Sequence, residues 1–156
     1  MGWFGRSRPA VKPLRLIAQS PDDLPALSAL VQDAALRAGD LSYTPAGRHF
    51  TLRMNRFCHE AALDRSGAIL RAPAVLRISC VQKVQVRGFD PTRAAQALAL
   101  LDLSAEALDA PAFALTLRFA GEGAKDVRIE AECIDILLLD LTAPRRARQA
   151  PNHLLD

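Results

Sequence analysis

The chain has 156 residues, of which half are hydrophobic and 24% are charged, a balance typical of one globular domain and far from that of disordered chains. Its formal net charge of +3 arises at the ends, since residues 1–12 carry three basic side chains and residues 145–156 carry three more with one acid. Without these segments, 14 basic and 16 acidic residues remain, which does not predict a basic face.

The N-terminal sequence MGWFGRSRPAVK lacks the apolar run of a signal peptide. No segment approaches the roughly 18 apolar residues of a membrane span. We therefore predict a cytoplasmic protein without a membrane partner, in which residues 1–13 form a flexible basic N-terminus and residues 14–143 form a single domain.

The first elements of that domain are a strand and a helix. Residues 14–18 form a short apolar run typical of a strand. Ser20 is a favourable N-cap, and the proline and two acids that follow it predict the start of a helix. One face of this helix is apolar at intervals of three and four residues, through Leu24, Leu27, Leu30 and Val31.

A β-hairpin is predicted next. Residues 41–43 alternate between apolar and polar, the sequence Thr-Pro-Ala-Gly at 44–47 favours a turn, and Phe50, Leu52 and Met54 alternate with polar neighbours. Residues 61–73 are predicted to be a connection. Residues 74–86 are rich in β-branched side chains and predict one long strand or two, with a bulge or bend near Gln82-Lys83.

The second half of the sequence contains a predicted helix and a hairpin. Asp90-Pro91 resembles a helix start, so residues 94–101 are predicted to form a second short helix. Residues 103–111 are a loop or a further helical turn. Gly121-Glu122-Gly123 predicts the turn of a hairpin between the alternating residues 113–119 and 127–131.

The last predicted element is ambiguous. The apolar residues 134–141 suit a buried strand or a helix, and their short length favours the strand. Residues 144–156 are predicted to be a flexible, arginine-containing tail. The fold class is therefore α+β, a mostly antiparallel sheet with two short helices. Thr-Leu-Arg occurs at 51–53 and 116–118, which raises the hypothesis of a duplicated helix-plus-hairpin unit.

Several short motifs between Leu14 and Leu141 resemble a known family. They are Gln32-Asp33-Ala34, Gly39-Asp40, Tyr43, Pro45, Phe50, Asn55-Arg56-Phe57 and Glu132-Cys133-Ile134. The chain is similar in these motifs to a family of small bacterial proteins known only as a domain of unknown function. The resemblance implies no activity. The family has a tryptophan before the glutamate where this chain has His59-Glu60, which implies a flat, partly buried group at His59 rather than an acid or base.

Reactive side chains are few and scattered. Cys58, Cys80 and Cys133 contain no CxxC pair, and we predict that Cys80 and Cys133 are small buried hydrophobes within strands. Adjacent residues of a strand point to opposite faces, so Cys58-His59-Glu60 does not form a nucleophile and base. The three histidines lack metal-ligand spacing. We therefore assign no catalytic residue, cofactor or metal ligand.

The polar residues of the helix-hairpin unit are the remaining candidates for a binding surface: Asp33, Asp40, Asn55, Arg56 and His59. Polar groups at helix ends and hairpin mouths often line ligand sites. A structural interpretation is stronger for three of them. Asp33 and Asp40 are expected to stabilise turns, and Arg56 to pair with an acid at the surface.

We predict a non-enzymatic interaction or scaffold module that binds a protein partner or a second copy through sheet edges or an apolar face. The alternative is a small-ligand or catalytic site near residues 33–60. The arginines at 145–148 do not predict nucleic-acid binding, because they are not interleaved with aromatic residues.

Overall fold

The computed structural model describes residues 12–58 and 70–146. Their main element is an antiparallel sheet of eleven strands. The strands are β1 (Arg15–Ala18), β2 (Ala35–Arg37), β3 (Leu41–Thr44), β4 (His49–Phe57), β5 (Leu70–Ile78), β6 (Val81–Arg87), β7 (Ala97–Ala107), β8 (Phe113–Phe119), β9 (Lys125–Ala131), β10 (Ile136–Asp140) and β11 (Arg145–Arg146). One α-helix is present in the described residues, α1 (Leu24–Val31).

The sheet has two halves joined by a very short strand. Its spatial order is β1-β10-β5-β4-β2-β7-β8-β9-β6, with β3 added to β4 and β11 added to β5. We call β1, β10, β5 and β4 the first half and β7, β8, β9 and β6 the second half. The three-residue strand β2 pairs with β4 at one residue and with β7 at three.

A single apolar cluster contains residues from α1 and from both halves. The helix buries Leu24, Leu27 and Val31, and its Ser28 hydroxyl accepts a hydrogen bond from the Leu103 backbone N–H at 3.0 Å. This bond ties the helix to β7. The inner faces of the two halves therefore enclose one core, while their outer faces remain toward solvent.

The start of the helical segment follows the sequence prediction. A 3-10 turn at Pro21–Asp23 leads directly into α1. The Asp23 carboxylate accepts hydrogen bonds from the backbone N–H groups of Gln19 at 2.9 Å and Ser20 at 3.2 Å. These bonds, chiefly that from Gln19, lower the pKa of Asp23 below its ordinary value.

Several other predicted elements are confirmed. The strand at 15–18 forms, and the hairpin pairs Leu41–Thr44 with His49–Leu52. The pairing of β6 with β9 shifts register between Val81 and Lys83, as the predicted bulge requires. β8 and β9 form the predicted hairpin, and the ambiguous segment contains a strand, Ile136–Asp140.

The prediction of a second helix over residues 94–101 is wrong. Residues from Ala97 onward form β7, in which Leu98, Leu100 and Leu103 are buried. Alanine and leucine favour a helix, but pairing with β2 and β8 overrides this weak local preference. The Asp90 carboxylate caps only a local turn, accepting the Thr92 N–H at 2.9 Å. The fold is therefore dominated by the sheet, and the second copy of a duplicated helix-plus-hairpin unit has no α-helix.

A buried ion pair crosses the core of the first half. The Arg56 guanidinium donates from Nε to Asp140 Oδ1 at 2.7 Å and from Nη2 to Oδ2 at 2.9 Å. Its Nη1 donates to the carbonyl of Phe57 at 3.3 Å and reaches that of Leu30 at 3.5 Å. The Leu14 backbone N–H also donates to Asp140, at 2.8 Å. The pair thereby links β4, β10, the end of α1 and the residue before β1.

Small residues on β5 make room for this pair. In the sheet register, Met54 and Asp140 both lie opposite Ala74, and Arg56 lies opposite Ala72. Both alanines are almost fully buried. The arginine therefore reaches diagonally across β5 over two methyl side chains, because longer side chains there would occupy its path.

Breaking this pair on one side is expected to be severely destabilising. Arg56→Met leaves the Asp140 carboxylate buried without its cation, which should lower the free energy of unfolding by about 3–5 kcal/mol. Urea denaturation measures the change.

The double variant Arg56→Met/Asp140→Leu serves as the control, because it removes both charges. We expect it to recover at least half of the lost stability. A double variant no more stable than Arg56→Met would show that the loss comes from packing rather than from the unpaired charge.

The hydrogen bonds to Asp23 lead to a second prediction, which concerns the pH dependence of stability. A carboxyl group whose pKa is lower in the folded state stabilises the fold above its unfolded pKa, near 3.8, and loses this effect as the pH falls through the folded pKa. Asp23→Asn should therefore destabilise the protein at pH 7, with the deficit shrinking below pH 3.8. Asp22→Asn in the same turn is the matched control, and equal deficits for both variants at pH 7 would contradict the assignment.

Candidate functional site

The predicted binding residues do not form one cluster. Asp33 lies in the turn after α1 with a φ of 66°, in the left-handed region that aspartate tolerates better than most residues. Its backbone N–H donates to the Leu100 carbonyl at 2.8 Å. The Asp40 carboxylate accepts the Arg37 N–H at 2.9 Å and closes a single 3-10 turn. The Asp40 carboxylate thus stabilises a turn, whereas the same role for the Asp33 side chain stays a prediction.

Arg56 differs from the prediction. Its side chain has no solvent exposure, and its acid is the buried Asp140 rather than a surface residue. The expected surface pair is therefore wrong, and Arg56 belongs to the core. His59 lies outside the described residues.

Asp40 and Asn55 do meet, at a groove beside β2. The groove has a volume of about 520 Å³, and its lining also includes Arg37 and Arg53. It exists because β2 covers only part of the space between β4 and β7. Two guanidinium groups and an amide are suitable donors for a carboxylate or phosphate, so we call this feature the β2 groove.

A larger feature is the outer face of the first half, which we call the arginine face. The alternation of each strand and its register with the next define it. Its members are the outward residues Arg15, Ile17, His49, Thr51, Arg53, Asn55, Phe57, Arg71, Pro73, Val75, Arg77, Leu137 and Leu139.

The rows across the arginine face combine apolar and basic side chains. One row runs Arg15–Leu139–Val75–Arg53, and the next runs Ile17–Leu137–Arg77–Thr51. Arg71 lies over the Phe57 ring, with its guanidinium carbon 4.1 Å from the ring centroid. Leu137, Leu139 and Val75 therefore form an apolar centre, with Ile17 at the β1 edge and arginines on both sides.

The arginine face has no acidic member among the described residues. The second half differs, since three of its arginines pair with acids: Arg87 with Asp126, Arg118 with Asp102 and Arg128 with Glu130. The sequence prediction that the domain lacks a basic face is therefore wrong. The net charge of the domain is close to zero. Arginines of the second half pair with acids, whereas the described outer face of the first half is basic.

Comparison with known proteins places the chain in a family. The sequence profile of the family described as "Protein of unknown function (DUF2948)" matches residues 14–153. The chain belongs to this family. The resemblance drawn from the sequence is thereby confirmed. Neither the curated proteins nor the solved structures contain a match to the chain.

No helix in residues 12–58 and 70–146 of this DUF2948 chain is long and apolar enough to cross a membrane.

The prediction that Cys80 and Cys133 are buried within strands is wrong. Cys58 is buried, but Cys80 and Cys133 are partly exposed and lie in the connections between strands rather than within them.

Sequence reasoning missed the arginine face of this DUF2948 chain, although two signals indicate it. Residues 136–139 are apolar at every position, so a strand there must turn leucines toward both faces. Arg71 and Arg77 are separated by an even number of positions and so lie on the same face of β5, as do Arg53 and Asn55 on β4. The missing information was the register, which joins strands far apart in the chain.

Proposed function

We propose that this protein is a cytoplasmic, non-enzymatic interaction module whose arginine face binds a partner protein with an acidic and apolar surface. The observation that carries the proposal is the mixture of an apolar centre and acid-free arginines on one sheet face. The three free cysteines support a reducing compartment.

Apolar side chains on and beside the arginine face support a protein ligand. Ile17, in the edge strand β1, is 45% exposed, and Leu141, which follows β10 and bonds through its N–H to Pro73 of the face, is 50% exposed. Both are among the most exposed large hydrophobic side chains of the described residues. Covering such surface stabilises a complex by roughly 25 cal/mol for each Å² of apolar area removed from water. Phosphate groups would not supply that contact, which favours a protein over a nucleic acid.

The positive charge of the arginine face favours a different partner protein over a second copy of this chain. Two copies packed through this face would bring arginines toward arginines, and like charges at an interface disfavour the complex. An acidic partner would instead pair with Arg15, Arg53 and Arg77. The electrostatic attraction would raise the rate of association and make binding selective for acidic partners. The occupant that we propose is therefore another protein rather than a second copy.

The sheet edges are weaker candidates than the face. The terminal strand β1 has only four residues and carries an arginine, and the other terminal strand, β6, carries Lys83 and Arg87. Short or charged edge strands are features by which proteins avoid strand addition. The side chains of the face, rather than backbone pairing at an edge, are thus the proposed contact.

Reversing one charge tests the arginine face. Arg77→Glu should reduce the amount of partner recovered by chemical crosslinking in the native cell at least about tenfold, since it places an acid opposite an acidic surface. Quantitative mass spectrometry of the crosslinked material measures the loss, and size-exclusion chromatography with light scattering shows whether the protein associates with itself.

The double variant Gln82→Glu/Gln85→Glu is the matched control. It changes the net charge by the same amount on the exposed residues of β6, outside the arginine face. Partner recovery should be unchanged in this control. A strictly monomeric protein with no crosslinked partner would refute the interaction module, and equal recovery with Arg77→Glu would refute the assigned face.

The β2 groove favours a second candidate function, the binding of a small anionic ligand. Arg37, Arg53 and Asn55 converge there with Asp40 at one side. The groove is open to solvent and is lined by short strand segments, so a carboxylate or phosphate group could reach the guanidinium groups without a change in the core. This function needs Arg37, which lies outside the arginine face, whereas the interaction module does not.

Inorganic phosphate and succinate are suitable probes for the groove. If it is a ligand site, one of them should raise the thermal unfolding midpoint at millimolar concentration, and Arg37→Ala or Asn55→Ala should weaken binding at least about tenfold by calorimetry. Arg93→Ala, in an exposed turn outside the groove, is the control and should bind normally. Absence of any stabilisation by either probe would exclude the groove as a site for these anions.

A further inference from the structure

The chain passes between the two halves of the sheet through two short connections that lie side by side. Residues 79–80 lead from β5 to β6, and residues 132–135 return from β9 to β10. Two backbone hydrogen bonds join these connections, from Ser79 N–H to the Asp135 carbonyl and from Glu132 N–H to the Cys80 carbonyl, both at 2.9 Å. The relative position of the two connections is therefore fixed.

Each connection carries one cysteine. Cys80 and Cys133 are both free and both partly exposed, and the Cys80 thiol is near enough to Cys133 to influence its pKa. Glu132, the residue before Cys133, is the one that bonds to the Cys80 backbone. Two free, partly exposed thiols thus lie on neighbouring connections at the junction of the two halves.

The backbone at Cys80 is unusual. Its φ is 61°, in the left-handed region that glycine, asparagine and aspartate occupy more readily than cysteine. A cysteine held in this conformation directs its side chain differently from an ordinary strand residue. The backbone at Cys80 therefore makes a turn between β5 and β6.

We propose that Cys80 and Cys133 form a reversible intramolecular disulfide when the protein meets a peroxide. The bond would connect the two crossings and so fasten the first half of the sheet to the second. Cys58 takes no part, because its side chain is buried away from solvent.

The reaction uses one molecule of hydrogen peroxide as the oxidant. The Cys80 sulfur attacks one peroxide oxygen, the O–O bond breaks, and a sulfenic acid and one water form after proton transfer. The Cys133 sulfur then attacks the Cys80 sulfur and displaces the hydroxyl group, which leaves as a second water with the Cys133 proton. Two thiols are oxidised to one disulfide, and the peroxide is reduced to two waters.

The order of the two steps follows from the surroundings of Cys133. Burial, with the neighbouring Cys80 thiol, raises the pKa of the Cys133 thiol above its ordinary value. A raised pKa lowers the fraction of reactive thiolate, so Cys133 is assigned the second step.

Intact-mass spectrometry of the reduced full chain tests the pair. Treatment with hydrogen peroxide should produce a loss of two hydrogens (about 2 Da), and dithiothreitol should restore the mass. Peptide mapping without reduction should identify a Cys80–Cys133 crosslink. The oxidised protein should unfold at a temperature higher by about 5 °C, because the bond constrains the unfolded chain.

Two variants distinguish this pair from other oxidation products. Cys80→Ser should give no crosslink and no rise in the unfolding temperature, whereas Cys58→Ala should still give both. If Cys58→Ala does not fold, peptide mapping of the unaltered chain provides the same assignment. Separate oxidation of the two thiols to sulfinic acids, a crosslink through Cys58, or a disulfide between two chains would overturn the proposal.

Discussion

The buried pair of Arg56 and Asp140 is the constraint on which the first half of the sheet depends. Removing an arginine and a carboxylate from water costs several kcal/mol for each ion, and only close, nearly complete hydrogen bonding offsets this cost. Here two direct bonds join the charges, and backbone groups of Leu14 and Phe57 complete the arrangement. Both β4 and β10 pair with β5, and a different register of either strand against β5 would separate the two charges.

That constraint also determines what the outer face displays. Side chains alternate along a strand, so fixing Arg56 and Asp140 inward turns their neighbours outward. On β10 this exposes Leu137 and Leu139 on one side of the strand, and on β4 it exposes Arg53 and Asn55. The arginine face is therefore a consequence of the buried pair, and a shift of one residue would exchange core and surface.

Much of the fold is predictable because alternation and turn residues are local. The hairpin at 41–57, the bulge after Val81 and the strand at 136–140 all follow from neighbouring residues. The helix predicted at 94–101 failed because alanine-rich sequence favours a helix only until a partner strand is available. The role of Arg56 was missed because it depends on Asp140, 84 positions away. The grouping of the arginines was missed because it depends on the register of strands that are distant in the chain, such as β1 and β10.

The two halves differ in how their surface charges are satisfied, and this difference is the basis for the functional proposal. In the second half, cross-strand pairs such as Arg87–Asp126 and Arg118–Asp102 neutralise the arginines within the molecule. Such exposed pairs add little stability, but they leave little charge for a partner. The described arginine face lacks acids and adds an apolar centre, so its electrostatic complement must come from outside these residues. We therefore propose the surface of the first half, rather than that of the second half with its paired charges, as the contact with a partner.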